Sequence, residues 1–261
     1  MNDNIDCKSL EKPILTATEA LETRRIQNSI PDSCVAIVCF RGRRASDRLI
    51  KRLGGVPIQG EIIYGHRLYY SSEFNLLIVP GAIYGGPIIA IIIEELFALG
   101  VKVLIGFGAG GSINHNVQPG SIFIAKKVIC RDGTSKEYSD MKNCEPDSRF
   151  LNYYAKRKNE LDALFLNGLT TDSLYRETPR KIKDWRQLGA DFINLEISPF
   201  YVVSKVLDMR SIYIGLITDF VGEKWENTYW NKNYDTKDKI DSRIIETIKE
   251  LVMEKSLVSD E

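Results

Sequence analysis

The sequence predicts an α/β fold in which a largely parallel sheet is covered by helices on both faces. Short apolar runs rich in β-branched residues, such as residues 35–40, are typical of strands that are buried on both faces. These runs alternate with longer segments that have the apolar periodicity of helices. Glycine-rich segments follow two of the runs, and parallel sheets place such segments at the carboxyl ends of their strands.

Composition and charge exclude several classes of protein. The chain has 261 residues, of which 44% are apolar and 27% are charged, as in an ordinary globular protein. Lys plus Arg (35) equals Asp plus Glu (35), so no excess positive charge favours nucleic acid or an anionic membrane surface. The longest apolar run, residues 88–99, contains two glutamates and is too short to span a bilayer. Residues 1–12 lack the apolar core of a signal peptide, and we therefore expect a cytoplasmic protein.

A polar lead-in over residues 1–30 precedes the predicted sheet. It contains one predicted helix near 18–28, which Thr16 or Thr18 can cap because a threonine hydroxyl accepts a hydrogen bond from the first helical turn. The elements predicted after it are a strand (35–40), a helix (45–53), a hairpin (61–64 with 66–70), a strand (75–79), a helix (88–99) and a strand (102–107).

The second half of the chain continues the alternation of strands and helices. Its predicted elements are a glycine loop (108–111), a strand (120–129), a polar surface excursion (136–148), a helix (150–161), a strand (164–170), a helix (179–188), a strand (192–195), a helix (199–207), a strand (211–217), an aromatic loop or lid (223–234) and an amphipathic helix (239–255). Since the sequence contains no internal repeat and no low-complexity linker, it predicts one domain over residues 1–261.

Two glycine segments, 81–87 and 106–111, can expose backbone N–H groups to an anion. Neither is followed by the Gly-Lys-Ser/Thr sequence of a P-loop, and tight turns at strand ends would account for them equally well. The five cysteines include no CxxC pair, and two histidines cannot form a His-rich site. The sequence therefore predicts no metal site.

Four segments resemble, in the same order, motifs of the nucleoside phosphorylase/nucleosidase superfamily. Residues 85–138 combine GGP, a helix with EEL and a glycine-rich turn, and they are especially similar to uridine phosphorylases. TTDSLY (170–175) is similar to the base-side loop of that family, NLEIS (194–198) to its ribose motif, and LITD (216–219) to the acid motif of its purine-cleaving members. The likeness extends over residues 35–221. An ordered set of this kind is more specific than any single motif.

This resemblance implies a three-layer α/β/α fold with a mixed, largely parallel central sheet. It also implies cleavage of an N-glycosidic bond with inorganic phosphate as co-substrate, and no other cofactor. In such a reaction the sugar carbon C1′ develops positive charge while the base leaves, so the protein must hold the sugar, position the nucleophile and neutralise the base. The resemblance further implies a homo-oligomer, either dimer-based or hexameric.

The ribose motif and the acid motif assign residues to the sugar and to the leaving base. The resemblance assigns Glu196 to the ribose hydroxyls, because an ionised carboxylate accepts two hydrogen bonds well. It places Leu195 against the sugar face, where the family has methionine. The first acid of that motif is Asn194 here, which alters one sugar contact. Asp219 matches the acid that protonates or hydrogen-bonds N7 of a purine, and it is the predicted catalytic residue.

The predicted base pocket departs from that of the uridine phosphorylases. Thr178 and Arg180 occupy the positions at which the pyrimidine members bind uracil with a glutamine and an arginine. The missing glutamine favours a purine substrate. Leu174 stands where the family often stacks a phenylalanine on the base, so Leu174 and Arg180 are the predicted base contacts.

The predicted phosphate site departs most from the family. Gly106 and Ala109 stand where the family carries an arginine and a serine or threonine. The loop Arg41-Gly42-Arg43-Arg44 supplies three guanidinium groups, which suit phosphate; a solvated basic loop is the alternative interpretation. The predicted phosphate contacts are Arg41, Arg43 and Arg44, with the backbone of Gly108, Ala109 and Gly110.

The favoured interpretation is a nucleoside phosphorylase with purine preference, whose partners are a small nucleoside and phosphate rather than nucleic acid or membrane. Three alternatives stay open: a uridine phosphorylase, a nucleosidase that hydrolyses the same bond with water, and a binding protein without turnover. The missing arginine at Gly106 favours the last two. Glu196 and Asp219 argue against the binding protein, because a protein that only binds a nucleoside needs no proton donor at the base.

Overall fold

The structure is a computed structural model. It describes residues 13–24, 31, 33–63, 65–82, 85–157, 163–229 and 231–258, with the backbone alone for 59–63. The ends of the predicted helices 18–28 and 150–161 lie outside these residues, as does position 64 of the predicted hairpin.

One mixed sheet forms the middle of the molecule. Its strands are β1 (Val35–Cys39), β2 (Val56–Ile63), β3 (His66–Ser71), β4 (Leu76–Val79), β5 (Val103–Ser112), β6 (Ile122–Cys130), β7 (Asn143–Cys144), β8 (Leu164–Thr170), β9 (Phe192–Asn194), β10 (Arg210–Val221) and β11 (Trp225–Glu226). Their order is β11-β10-β6-β8-β9-β5-β1-β4-β3-β2, with β7 beside β6. Because β10 also pairs with β5, the strands β5, β9, β8, β6 and β10 close into a ring.

The long strand pairings are predominantly parallel, as the alternation of strands and helices predicts. β1 pairs with β4 and β5, β5 pairs with β10, and β6 pairs with β8, all in parallel. Antiparallel pairings include the hairpin of β2 with β3 and short contacts such as β5 with β9. The prediction of a mixed, largely parallel sheet is therefore confirmed.

Helices cover the sheet on both faces, which confirms the three-layer α/β/α prediction. They are α1 (Ala17–Thr23), α2 (Arg43–Arg52), α3 (Gly86–Ala98), α4 (Gly133–Tyr138), α5 (Ser148–Lys156), α6 (Pro179–Gln187), α7 (Ile197–Val206), α8 (Tyr234–Met253) and α9 (Lys255–Val258). Helices α3 and α7 pack on one face of the sheet, whereas α2, α5 and α8 pack on the other. Within the described residues, no helix is long and apolar enough to cross a membrane.

Alternate residues of the central strand β1 belong to the two apolar cores. Ala36 and Val38 contribute to the core under α3 and α7, and Val35 and Ile37 contribute to the core under α2, α5 and α8. All four side chains are buried. This burial on both faces explains why the strand is a continuous apolar run in the sequence.

Polar side chains set the start of two helices. Thr16 begins α1 in a capping box: its Oγ1 accepts the N–H of Glu19 at 3.2 Å, and Glu19 Oε2 accepts the N–H of Thr16 at 2.9 Å. Helix α8 begins at Tyr234, before the predicted residue 239, because Asn233 Oδ1 accepts the N–H of Thr236 at 2.9 Å.

Three segments predicted to be irregular contain regular structure. The glycine segment 108–111 is not a loop but the end of β5, since β10 pairs with β5 as far as Ser112. The segment 136–148 is not a plain surface excursion. It contains the end of α4, which Asp132 caps by accepting the N–H of Ser135 at 2.7 Å, and β7, which pairs with β6. Within the predicted lid 223–234, β11 pairs with β10.

Candidate active site

Three strands bring the predicted ribose and base residues together. Asp219 lies in β10 directly opposite Gly111 of β5. Glu196 follows β9, and Ile193 of β9 pairs with the same glycine. Glu196 and Asp219 therefore lie on the two sides of the carboxyl end of β5. Proteins with parallel α/β sheets usually bind their ligands at the carboxyl ends of the strands.

Glu196 is a buried carboxylate with two donors. Its Oε1 accepts the hydroxyl of Tyr213 at 2.6 Å, and its Oε2 accepts the backbone N–H of Leu195 at 3.0 Å. Burial raises the pKa of Glu196 to about 7, although both hydrogen bonds act to lower it. Near neutral pH, Glu196 can thus hold either a proton or a negative charge.

Asn194 shapes the turn that carries Glu196. Its Oδ1 accepts the hydroxyl of Thr170 at 2.8 Å and the backbone N–H groups of Glu196 and Ile197, both at 3.0 Å. These bonds use the amide oxygen to begin α7, whose first turn follows directly. The residue that replaces the first acid of the ribose motif therefore holds the backbone of the second acid.

Asp219 is held by its neighbours at both carboxylate oxygens. The hydroxyl of Thr218 donates to Oδ1 at 2.6 Å, and the indole Nε1 of Trp225 donates to Oδ2 at 2.8 Å. Trp225 is in β11, and 63% of it is exposed. The hairpin of β10 and β11 thus places an exposed aromatic ring beside the predicted general acid.

Glu177 is a further acid near Asp219 that sequence reasoning missed. Burial and, to a smaller extent, the negative charge of Asp219 raise the pKa of Glu177 to about 7, although Lys181 acts in the opposite direction. Glu177 lies shortly after the base-side loop 170–175, with Arg176 between them. Its position two residues after that loop could have marked it as a site residue. One acid in a polar segment, however, carries little information by itself.

The predicted base contacts lie on the same exposed segment. Leu174 begins a short turn of 3₁₀ helix and is 50% exposed. Arg180 is exposed in the first turn of α6, after Thr178, whose Oγ1 accepts the N–H of Lys181 at 3.4 Å. The structure therefore places both predicted contacts at the surface beside Glu177.

The three arginines of the predicted phosphate loop have different surroundings. Arg41 is mostly buried: its Nη2 lies 3.2 Å from Asp241 Oδ1 and 3.2 Å from the Tyr229 hydroxyl, and its guanidinium carbon is 5.9 Å from the centre of the Phe107 ring. The Arg43 side chain is 94% exposed. Arg41 therefore lies beside β5, whereas Arg43 faces solvent.

The other two arginines of the loop contact helices α2 and α8. Arg43 pairs with Asp47 at 3.7 Å, one turn along α2. The guanidinium of Arg44 stacks on Tyr234, 3.9 Å from the ring centre, at the start of α8. An open cleft of about 490 Å³ borders this loop; its lining includes Phe40, Arg41, Gly42, Arg43, Ser46 and Gly81.

One edge of β5 is unpaired at the predicted phosphate residues. Pairing of β5 with β1 ends at Phe107, and pairing with β9 begins at Gly111. The intervening residues are Gly108, Ala109 and Gly110. Their opposite edge is paired with β10. The edge between β1 and β9 is therefore open to a ligand. Because successive residues of a strand direct their N–H groups to opposite edges, and Phe107 directs its carbonyl to Phe40, it is Ala109 that can offer its N–H there.

Comparison with known proteins agrees with this architecture. A sequence profile of the phosphorylase superfamily matches residues 35–252. The chain is 29% identical to the uncharacterized protein R802 of Acanthamoeba polyphaga mimivirus over 64% of this chain and 65% of that protein. It is 26% identical to a uridine phosphorylase of Thermococcus kodakarensis (54% of this chain, 59% of that protein) and 27% identical to a DeoD-type purine nucleoside phosphorylase of Clostridium novyi (64% and 72%). The chain thus spans less than two thirds of the length of the first two of these relatives.

Solved structures share the fold over nearly the whole chain. AMP nucleosidase from Bacteroides thetaiotaomicron superposes with a TM-score of 0.68 at 16% identity, over 90% of this chain and 98% of that one. Uridine phosphorylase from Vibrio fischeri also gives a TM-score of 0.68, at 19% identity, over 86% and 93% of the two chains. At these identities the likeness establishes the fold. The profile match over residues 35–252 shows that the chain belongs to the phosphorylase superfamily.

Proposed function

We propose that this protein cleaves the N-glycosidic bond of a purine nucleoside with phosphate, releasing the free base and ribose 1-phosphate. The observation that carries the proposal is the position of Glu196 and Asp219 on the two sides of the end of β5. Membership of the phosphorylase superfamily supports it. Relatives that are named purine nucleoside phosphorylase and uridine phosphorylase support it as well.

Glu196 is proposed to bind the ribose hydroxyls. Each of its oxygens accepts one hydrogen bond from the protein, from Tyr213 or from Leu195, and a carboxylate oxygen can accept a second. Two sugar hydroxyls would complete this set. In its ionised form Glu196 would also stabilise the positive charge that develops at C1′. Leu195, half-buried beside it, is proposed to contact the sugar face.

Asp219 is proposed to serve the leaving purine. As the bond between C1′ and the base breaks, its electron pair goes to the base. N7 takes a proton or a hydrogen bond from the protonated form of Asp219, which is left as the carboxylate when the proton is transferred. Thr218 and Trp225 orient the carboxyl group by donating to its two oxygens. Uracil has no N7, so this arrangement favours purines. Leu174 and Arg180 remain the proposed base contacts.

Phosphate is proposed to bind between Arg41 and the open edge of β5. Both hydrogen bonds of Arg41 to its protein partners use Nη2, and the guanidinium fork carries further N–H groups on Nε and Nη1. A phosphate oxygen would attack C1′ and form the bond of ribose 1-phosphate as the bond to the base breaks. Because Asp241 already neutralises part of the charge of Arg41, we expect weak phosphate binding. Arg43 and Arg44 are proposed to contribute charge at longer range.

Hydrolysis is the second candidate, and one observation favours it. The guanidinium of Arg41 is paired with Asp241, and position 106 of β5 is a glycine, so the site has less free positive charge than it would have with an unpaired arginine. Water would then attack C1′ in place of phosphate, and free ribose would be the product. The structural likeness to an AMP nucleosidase is compatible with this reaction.

Base release from a nucleoside panel tests the proposal. The full-length protein is incubated in phosphate with inosine, guanosine, adenosine, uridine and AMP, and free base is measured by chromatography. We expect purine nucleosides to be cleaved faster than uridine. Glu196→Ala should lower kcat/KM by roughly 30- to 1000-fold, the effect of losing about 2–4 kcal/mol of transition-state binding. Glu137→Ala, at an exposed glutamate of α4, is the control. Faster cleavage of uridine, or normal turnover by Glu196→Ala, would contradict the proposal.

A further inference from the structure

We propose that Tyr213 is the positioning residue of Glu196, and that positions 106 and 108 are glycine because the Tyr213 side chain lies across them. The inference rests on the proposed function, since it takes Glu196 to bind the sugar. Tyr213 lies within an apolar strand, and its sequence context indicates only a core residue. The contact of its hydroxyl with Glu196 indicates a role in the candidate site.

The Tyr213 hydroxyl fixes one of the two oxygens of Glu196. It donates to Oε1 at 2.6 Å, while the Leu195 N–H donates to Oε2 at 3.0 Å. The first donor comes from β10 and the second from the turn after β9. With one donor on each oxygen, the plane of the carboxyl group is set, and so are the remaining acceptor directions toward the site.

The glycines of β5 make room for this side chain. Tyr213 is directly opposite Gly106 in the parallel pairing of β10 with β5. A Cβ at Gly106 would lie 2.5 Å from Tyr213 Cδ2, and a Cβ at Gly108 would lie 1.7 Å from Tyr213 Oη. Such distances are far inside van der Waals contact, so any side chain at either position would displace the ring. Tyr213 therefore takes the space beside position 106, where the resemblance described above implies an arginine.

The ring of Tyr213 has no room to move aside. It stacks on Phe40, with 5.6 Å between ring centres and 22° between planes, and Phe200 contacts it edge-on at 5.9 Å. The backbone N–H of Tyr213 donates to the Tyr201 hydroxyl at 2.9 Å. A fully buried ring held in this way presents its hydroxyl at one place.

The contact also affects the charge of Glu196. Burial disfavours the ionised carboxylate, and the Tyr213 hydrogen bond lowers its pKa again. Two sugar hydroxyls are bound best by an ionised carboxylate. Tyr213 therefore acts through Glu196 in two ways, because it orients the acceptor and keeps it ionised at a lower pH.

Tyr213→Phe in the full-length protein tests this role, with Tyr154→Phe as the matched control. Tyr154 is equally buried but belongs to the core on the other face of the sheet. We expect Tyr213→Phe to lower kcat/KM for a purine nucleoside roughly ten- to a hundredfold, as for the loss of a hydrogen bond to a charged group. The acidic limb of its pH profile should move to higher pH. Tyr154→Phe should change neither quantity.

A double variant distinguishes positioning from a general structural effect. If Tyr213 acts through Glu196, then Tyr213→Phe should cause little further loss in a Glu196→Gln protein. An unchanged rate and pH profile for Tyr213→Phe in an active enzyme would overturn the inference and leave the proposed function intact. An equal additional loss in the Glu196→Gln background would also overturn it.

A spectroscopic measurement is independent of activity and of whether Tyr213→Phe folds. In wild-type protein labelled with ¹³C at tyrosine Cζ, the Tyr213 resonance should shift with pH as Glu196 titrates near pH 7. Glu196→Gln should abolish that shift. If no nucleoside is cleaved, the proposed function fails and this measurement still tests the contact. A Tyr213 resonance that does not respond to Glu196→Gln would overturn it.

Discussion

Arg41 Nη2 lies 3.2 Å from Asp241 Oδ1, and this buried ion pair fastens the loop after β1 to helix α8. Arg48 donates to the other carboxylate oxygen of Asp241 at 2.8 Å. Burial raises the pKa of Asp241, whereas the two arginines lower it. The pair therefore holds one arginine of the predicted phosphate loop beside β5 and shares its charge with a carboxylate.

Replacing Arg41 should weaken the use of phosphate. We expect Arg41→Ala to raise the phosphate KM for base release roughly ten- to a hundredfold, because one charged hydrogen bond contributes about 1.5–3 kcal/mol. Asp241 keeps Arg48 as a partner, so the variant should fold. The measurement is base release as a function of phosphate concentration at fixed nucleoside.

Arg52→Ala is the control for this experiment. Arg52, in α2, likewise pairs with an acid of α8, Glu246, at 3.0 Å, but both side chains of that pair are exposed. Its loss should leave the phosphate KM unchanged. Equal effects of Arg41→Ala and Arg52→Ala would mean that Arg41 acts only through its ion pair to α8 and does not bind phosphate. Arg43→Ala, measured alongside, tests an exposed arginine of the same loop.

Asp219→Asn should lower kcat for purine cleavage. An amide cannot give up a proton at ordinary pH, and general acid catalysis contributes typically about 10²–10⁴-fold, so we expect a loss of that order in kcat. Trp225→Phe, which removes the indole donor from an exposed ring, should reduce kcat less. Single-turnover base release measures both. Purine cleavage at the wild-type rate by Asp219→Asn would show that Asp219 is not the proton donor.

Glu196→Gln should be more stable than the wild type at alkaline pH. The folded-state pKa of Glu196, about 7, lies above its usual value of 4.5, so its stabilising contribution is complete below pH 4.5 and is lost as pH rises through 7. The loss amounts to about 3 kcal/mol at most. Glutamine does not titrate. Unfolding in denaturant should show equal stabilities near pH 4.5 and a more stable variant at pH 8; parallel pH dependences of the two proteins would contradict this expectation.

Gly108→Ala should destabilise the protein through Tyr213. A Cβ at this position collides with the Tyr213 hydroxyl, and overpacking of a core costs typically about 1–3 kcal/mol. In a Tyr213→Leu background the same substitution should cost clearly less, because the two atoms that it meets most closely, Oη and Cζ of Tyr213, are gone. A double-mutant cycle of unfolding free energies measures the coupling. Additive costs would show that Tyr213 does not restrict position 108.

Much of the fold could be predicted because its strands are buried on both faces. A strand such as β1 is then apolar at every position, and the alternation of strands with helices leaves few topologies. The end of β5 was mispredicted as a loop for a physical reason. Its glycines indicate a turn when judged locally, but here they pair with β10 and accommodate side chains of Tyr213 and Phe192 from neighbouring strands.

Some residues of the candidate site could be predicted from the sequence, whereas the partners that hold them could not. Glu196 and Asp219 stand in recognisable motifs, and the structure brings them to opposite sides of one strand end. Their partners Tyr213 and Trp225 have no local signal, since a tyrosine in an apolar strand and a tryptophan in a polar loop are common in any protein. A partner that lies 17 residues away along the chain, as Tyr213 does from Glu196, becomes visible only when the strands are assembled.

The phosphate dependence of base release, with identification of the sugar product, tests the central claim most directly. Purified full-length protein is freed of phosphate and given a purine nucleoside, and phosphate is then titrated from zero. Phosphorolysis predicts that base release rises from near zero with phosphate and that ribose 1-phosphate forms in an amount equal to the base. Release at full rate without phosphate, with free ribose as the product, would contradict phosphorolysis and identify a hydrolase.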